Sequence, residues 1–234
     1  DLEHDKYREF ACPNDHFRLD DPELVTNEAH TGNYSVRLHP NKKIAYESSI
    51  WTGNRPAVQQ HGVPFEVQPA DYITNHRFVN TETDNRYVLM AWVKAPNKIQ
   101  DLLTYQARID IEVNGNYLPV EEKRGIITDG WQRIELTFDM PAALLDGTPV
   151  KIVLQASEFG YAYFDDIRVH PFDSEMEAHV VDANKQRAMA KLDSRNFATI
   201  YQYDENGKLV RTIQETNRGK QTIKEARSET RIYE

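Results

Sequence analysis

The sequence predicts an all-β protein, a jelly-roll β-sandwich followed by a β-hairpin meander, on three observations. Runs of alternating apolar and polar residues recur, as in Ala107-Arg108-Ile109-Asp110-Ile111-Glu112-Val113, and a period of two marks a half-buried strand. Turn dipeptides that tolerate positive φ separate the runs, Asn114-Gly115 and Asp129-Gly130 above all. Aromatic residues make up 10% and charged residues 28% of the 234-residue chain. That composition fits a modest core under a polar surface rather than a disordered chain.

In chain order, residues 1–20 are polar, with Tyr7, Phe10 and Phe17 as anchors. Leu24-Val25-Thr26 reads as a short strand, and Ala29 to Asn33 as a turn in which Gly32 and Asn33 can take φ > 0. Tyr34 to Leu38 alternates, with Tyr34, Val36 and Leu38 on one face. From Pro40 to Asn85 the pattern loosens around Trp51, Phe65, Tyr72 and the prolines Pro56, Pro64 and Pro69. Short strands and long loops are expected there, and loops on a rigid sandwich commonly carry binding function. Tyr87 to Ala95 is apolar on both faces and reads as a central strand. Tyr105–Val113, Trp131–Phe138, Val150–Gln155 and Tyr161–His170 bring the total to about eight strands.

The last of these strands holds an anomaly. Strict alternation puts Asp165, Ile167 and Val169 on one face and Phe164, Asp166 and Arg168 on the other. An inward carboxylate beside aliphatics requires a partner, either a metal ion or a ring of hydrogen-bond donors. Asp165 and Asp166 would point to opposite faces and would not form an acid/base pair.

Pro171 marks a break, giving a sandwich over residues 1–172 and a second part over 173–234. In the second part, turn clusters begin at Asp182, Asp193 and Asp204, 11 residues apart, with strand-like runs between them. A short fixed period of strand and turn predicts a meander or repeat array, which cannot bury its apolar face alone. It either packs on the sandwich or continues into further repeats.

Composition excludes several functions. The net charge of −9 opposes a phosphate-binding surface, so nucleic acid is not expected as a partner. The single cysteine, Cys12, forbids an intrachain disulfide. No apolar run approaches the roughly 20 residues that span a bilayer. The chain starts without Met and without a signal peptide, and reads as a piece of a longer polypeptide. Its His and carboxylate residues form no nucleophile elbow, His-Glu-x-x-His pair or glycine-rich phosphate loop, so catalysis is not expected.

The segments Ala29-His30-Thr31-Gly32-Asn33-Tyr34-Ser35-Val36, Tyr87 to Lys94, Gly130-Trp131 and Phe164-Asp165-Asp166-Ile167-Arg168-Val169, in that order, resemble the carbohydrate-binding-module-like (galactose-binding-like) jelly rolls over roughly residues 20–172. Tyr201 to Val210 resembles the hairpin core of tyrosine–aspartate (YD, or Rhs-type) repeats. The first resemblance implies a structural Ca²⁺ held by the Asp165 carboxylate, backbone carbonyls near His30 and Gly32, and Asn33 or Ser35. The ion-free alternative is that Asp165 only accepts hydrogen bonds from the loop backbone. The resemblance also implies sugar platforms at Trp51, Tyr72, Tyr105 and Tyr117, unless Trp51 is only a loop anchor. Trp92 and Trp131, inside regular strands, read as packing residues.

Together the resemblances imply a non-catalytic module of a larger secreted or cell-surface protein of Bacteroidetes-type bacteria. Its partners would be the rest of the polypeptide, neighbouring domains or a glycan. The alternative is a purely structural block, or an ancillary domain of an Rhs-like exported toxin or glycosidase.

Overall fold

The computed structural model describes residues 22–51, 78–79, 85–96, 106–141, 144–145, 148–182 and 185–226. Every element among them is a strand. The first eleven are β1 (Pro22–Val25), β2 (Ser35–Leu38), β3 (Lys43–Trp51), β4 (Phe78–Val79), β5 (Arg86–Lys94), β6 (Ala107–Val113), β7 (Asn116–Tyr117), β8 (Glu121–Thr128), β9 (Trp131–Asp139), β10 (Pro149–Ala156) and β11 (Ala162–Pro171). They form two sheets, ordered β1-β2-β11-β5-β9-β8 and β4-β3-β10-β6-β7. Early strands pair with late ones, β2 with β11 and β3 with β10, and this nesting closes the jelly roll. All pairings are antiparallel except that of β3 with β4.

The core lies between these two sheets. Leu89, Ala91, Val93, Ile134, Leu136 and Phe164 from one layer meet Ile44, Ile109, Ile111, Ile152 and Leu154 from the other. The turn dipeptides act as their chemistry dictates. Asn114 and Gly115 sit at φ 49° and 82°, and Asp129 and Gly130 at 52° and 86°, so both are two-residue hairpins with two left-handed residues.

Two long strands were not anticipated. β3 occupies part of the stretch read as loose; Ile44 and Tyr46 do pack on the core, but the polar Glu47-Ser48-Ser49 run masks the alternation. β8, Glu-Glu-Lys-Arg-Gly-Ile-Ile-Thr, is an edge strand with largely exposed residues, so burial never imposed a period on it.

The remaining strands are β12 (Ala178–Asp182), β13 (Arg187–Leu192), β14 (Ala198–Tyr203), β15 (Leu209–Thr216) and β16 (Gly219–Glu225). They form a third sheet, a simple meander in sequence order. The 11-residue spacing marks turn-capping aspartates. Asp193 Oδ1 accepts the N–H groups of Arg195 and Phe197, both at 2.9 Å. Asp204 Oδ1 accepts those of Asn206 at 3.0 Å and Lys208 at 2.8 Å, and Asp182 Oδ1 that of Lys185 at 3.2 Å. A short carboxylate that satisfies the backbone of its own turn is the usual reason for Asp at such positions.

The third sheet packs on the sandwich, against the outer face of the six-stranded layer, which accounts for the doubly apolar β5. Its odd-numbered residues Leu89, Ala91 and Val93 face the core, while Trp92, also buried, lies under the third sheet. The side chains of Trp92, Arg133 and Arg168 all donate to carbonyls of one turn: Trp92 Nε1 to Asn196 O at 2.7 Å, Arg133 Nε to Arg195 O at 2.6 Å and Arg168 Nη2 to Asp193 O at 2.5 Å.

Truncation should separate the core from the far edge of the meander. Ile111→Ala, at a fully buried position, is expected to destabilise by about 2–5 kcal/mol. Ile223→Ala, on β16 with 55% exposure, should change stability by less than about 0.5 kcal/mol. Chemical denaturation of the two variants measures both.

Candidate functional site: a buried ionic clamp and an open cleft

The β11 anomaly resolves through a bulge. Opposite β5, Asp165 pairs with Trp92 and Arg168 with Met90, so Asp166 and Ile167 together face the single residue Ala91. Asp166 takes φ 48°, a left-handed value that Asp tolerates. The bulge shifts the alternation by one residue. Ile167 and Val169 join Phe164 in packing on the core, whereas Asp165 and Arg168 share the outer face. The expectation that Asp165 shares a face with Ile167 and Val169 is therefore corrected. So is the expectation that Asp165 and Asp166 diverge, because both carboxyl groups converge on the His30–Thr31 segment.

Asp165 Oδ2 accepts the backbone N–H of His30 at 2.6 Å and of Thr31 at 3.4 Å, and Asp165 Oδ1 accepts that of Asp166 at 2.7 Å. Thr31 Oγ1 donates to the Asp166 carboxylate at 2.7 Å. The His30 ring bridges two carboxylates, with Nδ1 2.6 Å from Asp166 and Nε2 3.0 Å from Glu215 of the third sheet. The ring stacks on Trp92 at 4.0 Å between centroids and 14° between planes, and meets Trp131 edge-on at 5.8 Å. Glu215 also accepts the Ala198 N–H at 3.3 Å and lies 3.9 Å from Lys220, which reaches Asp129 on the β8–β9 turn at 3.4 Å.

Burial alone would push the His30 imidazole down. The hydrogen bonds and charges of Asp166 and Glu215 outweigh it and raise the pKa to about 9, so the ring is an imidazolium at neutral pH. Both ring N–H groups then donate, and the cation lies against the face of an indole. Burial, and next the neighbouring Asp166 carboxylate, hold Asp165 well above the usual carboxylate range, against the opposing pull of His30.

Of the expected calcium ligands, Asp165 and His30 do come together, but His30 presents its amide N–H to the carboxylate rather than its carbonyl. Gly32 takes φ 64° in the turn. Ca²⁺ requires six to eight oxygens, and the Asp165 oxygens are engaged by donors. Among the described residues no group of three or more His, Cys, Asp or Glu could hold a metal ion. Asp165 accepts hydrogen bonds from the loop backbone, as in the ion-free alternative. Of the expected sugar platforms, Tyr72 and Tyr105 lie outside the described residues. Trp51 ends β3 with its backbone paired to Val79, and its side chain lies outside the described residues. Tyr117 sits on the two-residue strand β7 and is 50% exposed. Trp92 and Trp131 are packing residues, buried to 1% and 3% exposure.

Sequence reasoning missed Glu215. Two residues after Ile213 on one strand, it shares that face. A carboxylate alternating with an aliphatic is the same signal that singled out Asp165.

The third sheet also carries an open cleft of about 500 Å³. Tyr201, Tyr203, Arg187, Gln202, Arg211 and Glu225 line it. The Arg187 guanidinium lies over the Tyr203 ring at 4.4 Å, and the Tyr203 hydroxyl is tied to Ala188 O at 2.8 Å. Aromatic faces beside planar amide, guanidinium and carboxylate groups can stack on a ring and hydrogen-bond around its rim.

No protein-family model matches this chain, and no curated protein matches it. Among solved structures it is similar to one described as "Family 16 Carbohydrate Binding Module-2", with 18% identity and a TM-score of 0.35 over 64% of this chain and 84% of that one. So distant a likeness identifies no ligand. Among the described residues no helix is long and apolar enough to cross a membrane.

The clamp has a pH signature. A histidine whose folded pKa lies above its unfolded value of 6.5 contributes stability that is complete below about 6.5 and lost as pH rises through about 9. At about 1.4 kcal/mol per unit, the full contribution is roughly 3 kcal/mol. Asp165, also raised, acts in the same direction from the acid side. Thermal melts should therefore fall from pH 6.5 to 9.5 by about one proton's worth of linkage. His30→Gln should flatten that fall and lower stability at neutral pH, because two carboxylates lose their cation. Glu215→Gln should move the fall to lower pH.

Proposed function

We propose that this chain is a non-catalytic glycan-binding module, and that the cleft on the third sheet is where the sugar sits. The observation that carries the reading is the separation of the clamp from the cleft. Two groups with displaced proton affinity, His30 and Asp165, are buried and bonded to one another, as befits a structural unit. The open surface instead offers Tyr201 and Tyr203 with Gln202, Arg187, Arg211 and Glu225, which suits recognition rather than bond-making. The module would be one part of a larger extracellular or cell-surface polypeptide. The net charge of −9 is in keeping with a sugar or protein partner rather than nucleic acid.

A second reading is a purely structural block within such a polypeptide. It draws on the ionic clamp and the triply capped turn, which hold the third sheet on the sandwich with or without a ligand.

A glycan array on the intact chain separates the two readings. The binding reading expects at least one oligosaccharide to be retained, with Tyr201→Ala weakening it about tenfold or more, the scale of losing a stacked ring. Retention of no glycan, with the fold intact, favours the structural block.

A further inference from the structure

We infer that the cleft selects an acidic sugar, a uronic-acid-containing oligosaccharide, and that Arg187 is the residue that reads its carboxylate. The inference rests on the glycan-binding reading and deepens it. Arg211 lies 3.5 Å from Glu225, so those two charges answer one another. Asp182, also on the cleft wall, is committed through Oδ1 to capping its own turn at the Lys185 N–H. Arg187 differs: among the described residues no carboxylate lies within 4.0 Å of its guanidinium, and its recorded partner is the Tyr203 ring at 4.4 Å.

That guanidinium is also positioned in advance. Tyr203 is anchored through its hydroxyl to Ala188 O, so the surface on which the guanidinium lies is fixed. Gly207, at φ 79° in the Asp204 turn, leaves room beside it; a Cβ there would come 3.7 Å from Arg187 Nη1. A planar fork stacked on an anchored ring loses little freedom when a second planar group bonds to its edge. A carboxylate matches that fork with two parallel N–H···O bonds. Tyr201, on the same wall, offers its ring to the sugar face. A neutral sugar offers that half-buried fork no charged acceptor, whereas a uronate supplies one. Because the whole chain carries −9, the selectivity must be local, so it should weaken as salt screens the pair.

The test is isothermal titration calorimetry on the full chain with an oligogalacturonate, its methyl ester and a sulfated neutral oligosaccharide of the same length. The acid form is expected to bind about 10- to 100-fold more tightly than the ester, as for one charge-assisted bidentate contact. Arg187→Gln should erase that difference by lowering the affinity for the acid form to that for the ester. Arg187→Lys should restore it only in part, because a point charge lacks the fork. Equal binding of acid and ester, with Tyr201→Ala still weakening both, overturns the uronate assignment and leaves the glycan reading standing. Tighter binding of the sulfated sugar reassigns Arg187 to sulfate and overturns it as well. Binding of none of the three also overturns it, and the glycan array then decides the broader reading.

Discussion

A single charged ring holds the architecture together. His30 leaves the turn before β2, lies flat on Trp92 of the central strand, and donates to Asp166 on β11 and to Glu215 on β15. One side chain thus joins the two ends of the sandwich's chain path to the third sheet. Two buried carboxylates without a cation, or a buried cation without carboxylates, would cost several kcal/mol, so each group requires the others. The geometry that makes the arrangement possible is the β11 bulge, which turns two consecutive aspartates toward the same loop.

Around this ring the packing follows from residue size. Ala190 and Ala198 on the third sheet are buried and small, which allows close approach to the sandwich. The turn at Asp193–Asn196 then receives donors from Trp92, Arg133 and Arg168, so its carbonyls are satisfied even where water is excluded. Asn196 takes φ 67° there and returns a bond from Nδ2 to Asp166 O at 3.0 Å. The third sheet is docked by directional polar contacts as well as by apolar packing.

Much of this was legible in the sequence, for identifiable reasons. The alternation of β6 and β9, the Asn114-Gly115 and Asp129-Gly130 turns and the aspartate-led turns of the meander are local signals, and local signals survive without coordinates. The carboxylate at Asp165 announced a buried partner, and the tie to the His30–Gly32 turn was anticipated. Four things were not legible. A bulge breaks alternation without leaving a composition signature, so the facing of Phe164 and Asp165 came out reversed. Glu215 contacts His30 across 185 positions, and no local pattern encodes such a pairing. The edge strand β8 lacks a buried face to impose a period on it. The cleft escaped notice because Arg187, Tyr203 and Gly207 come from separate elements that only the meander brings side by side.

The most direct measurement of the central claim is ¹⁵N and ¹H NMR of the His30 imidazole in the intact chain. The clamp predicts a doubly protonated ring at pH 7.5, with both N–H protons protected from solvent and titration centred near 9. A neutral single tautomer at that pH, titrating near the ordinary value of 6.5, would contradict it. The bond between sandwich and third sheet would then have to be sought elsewhere.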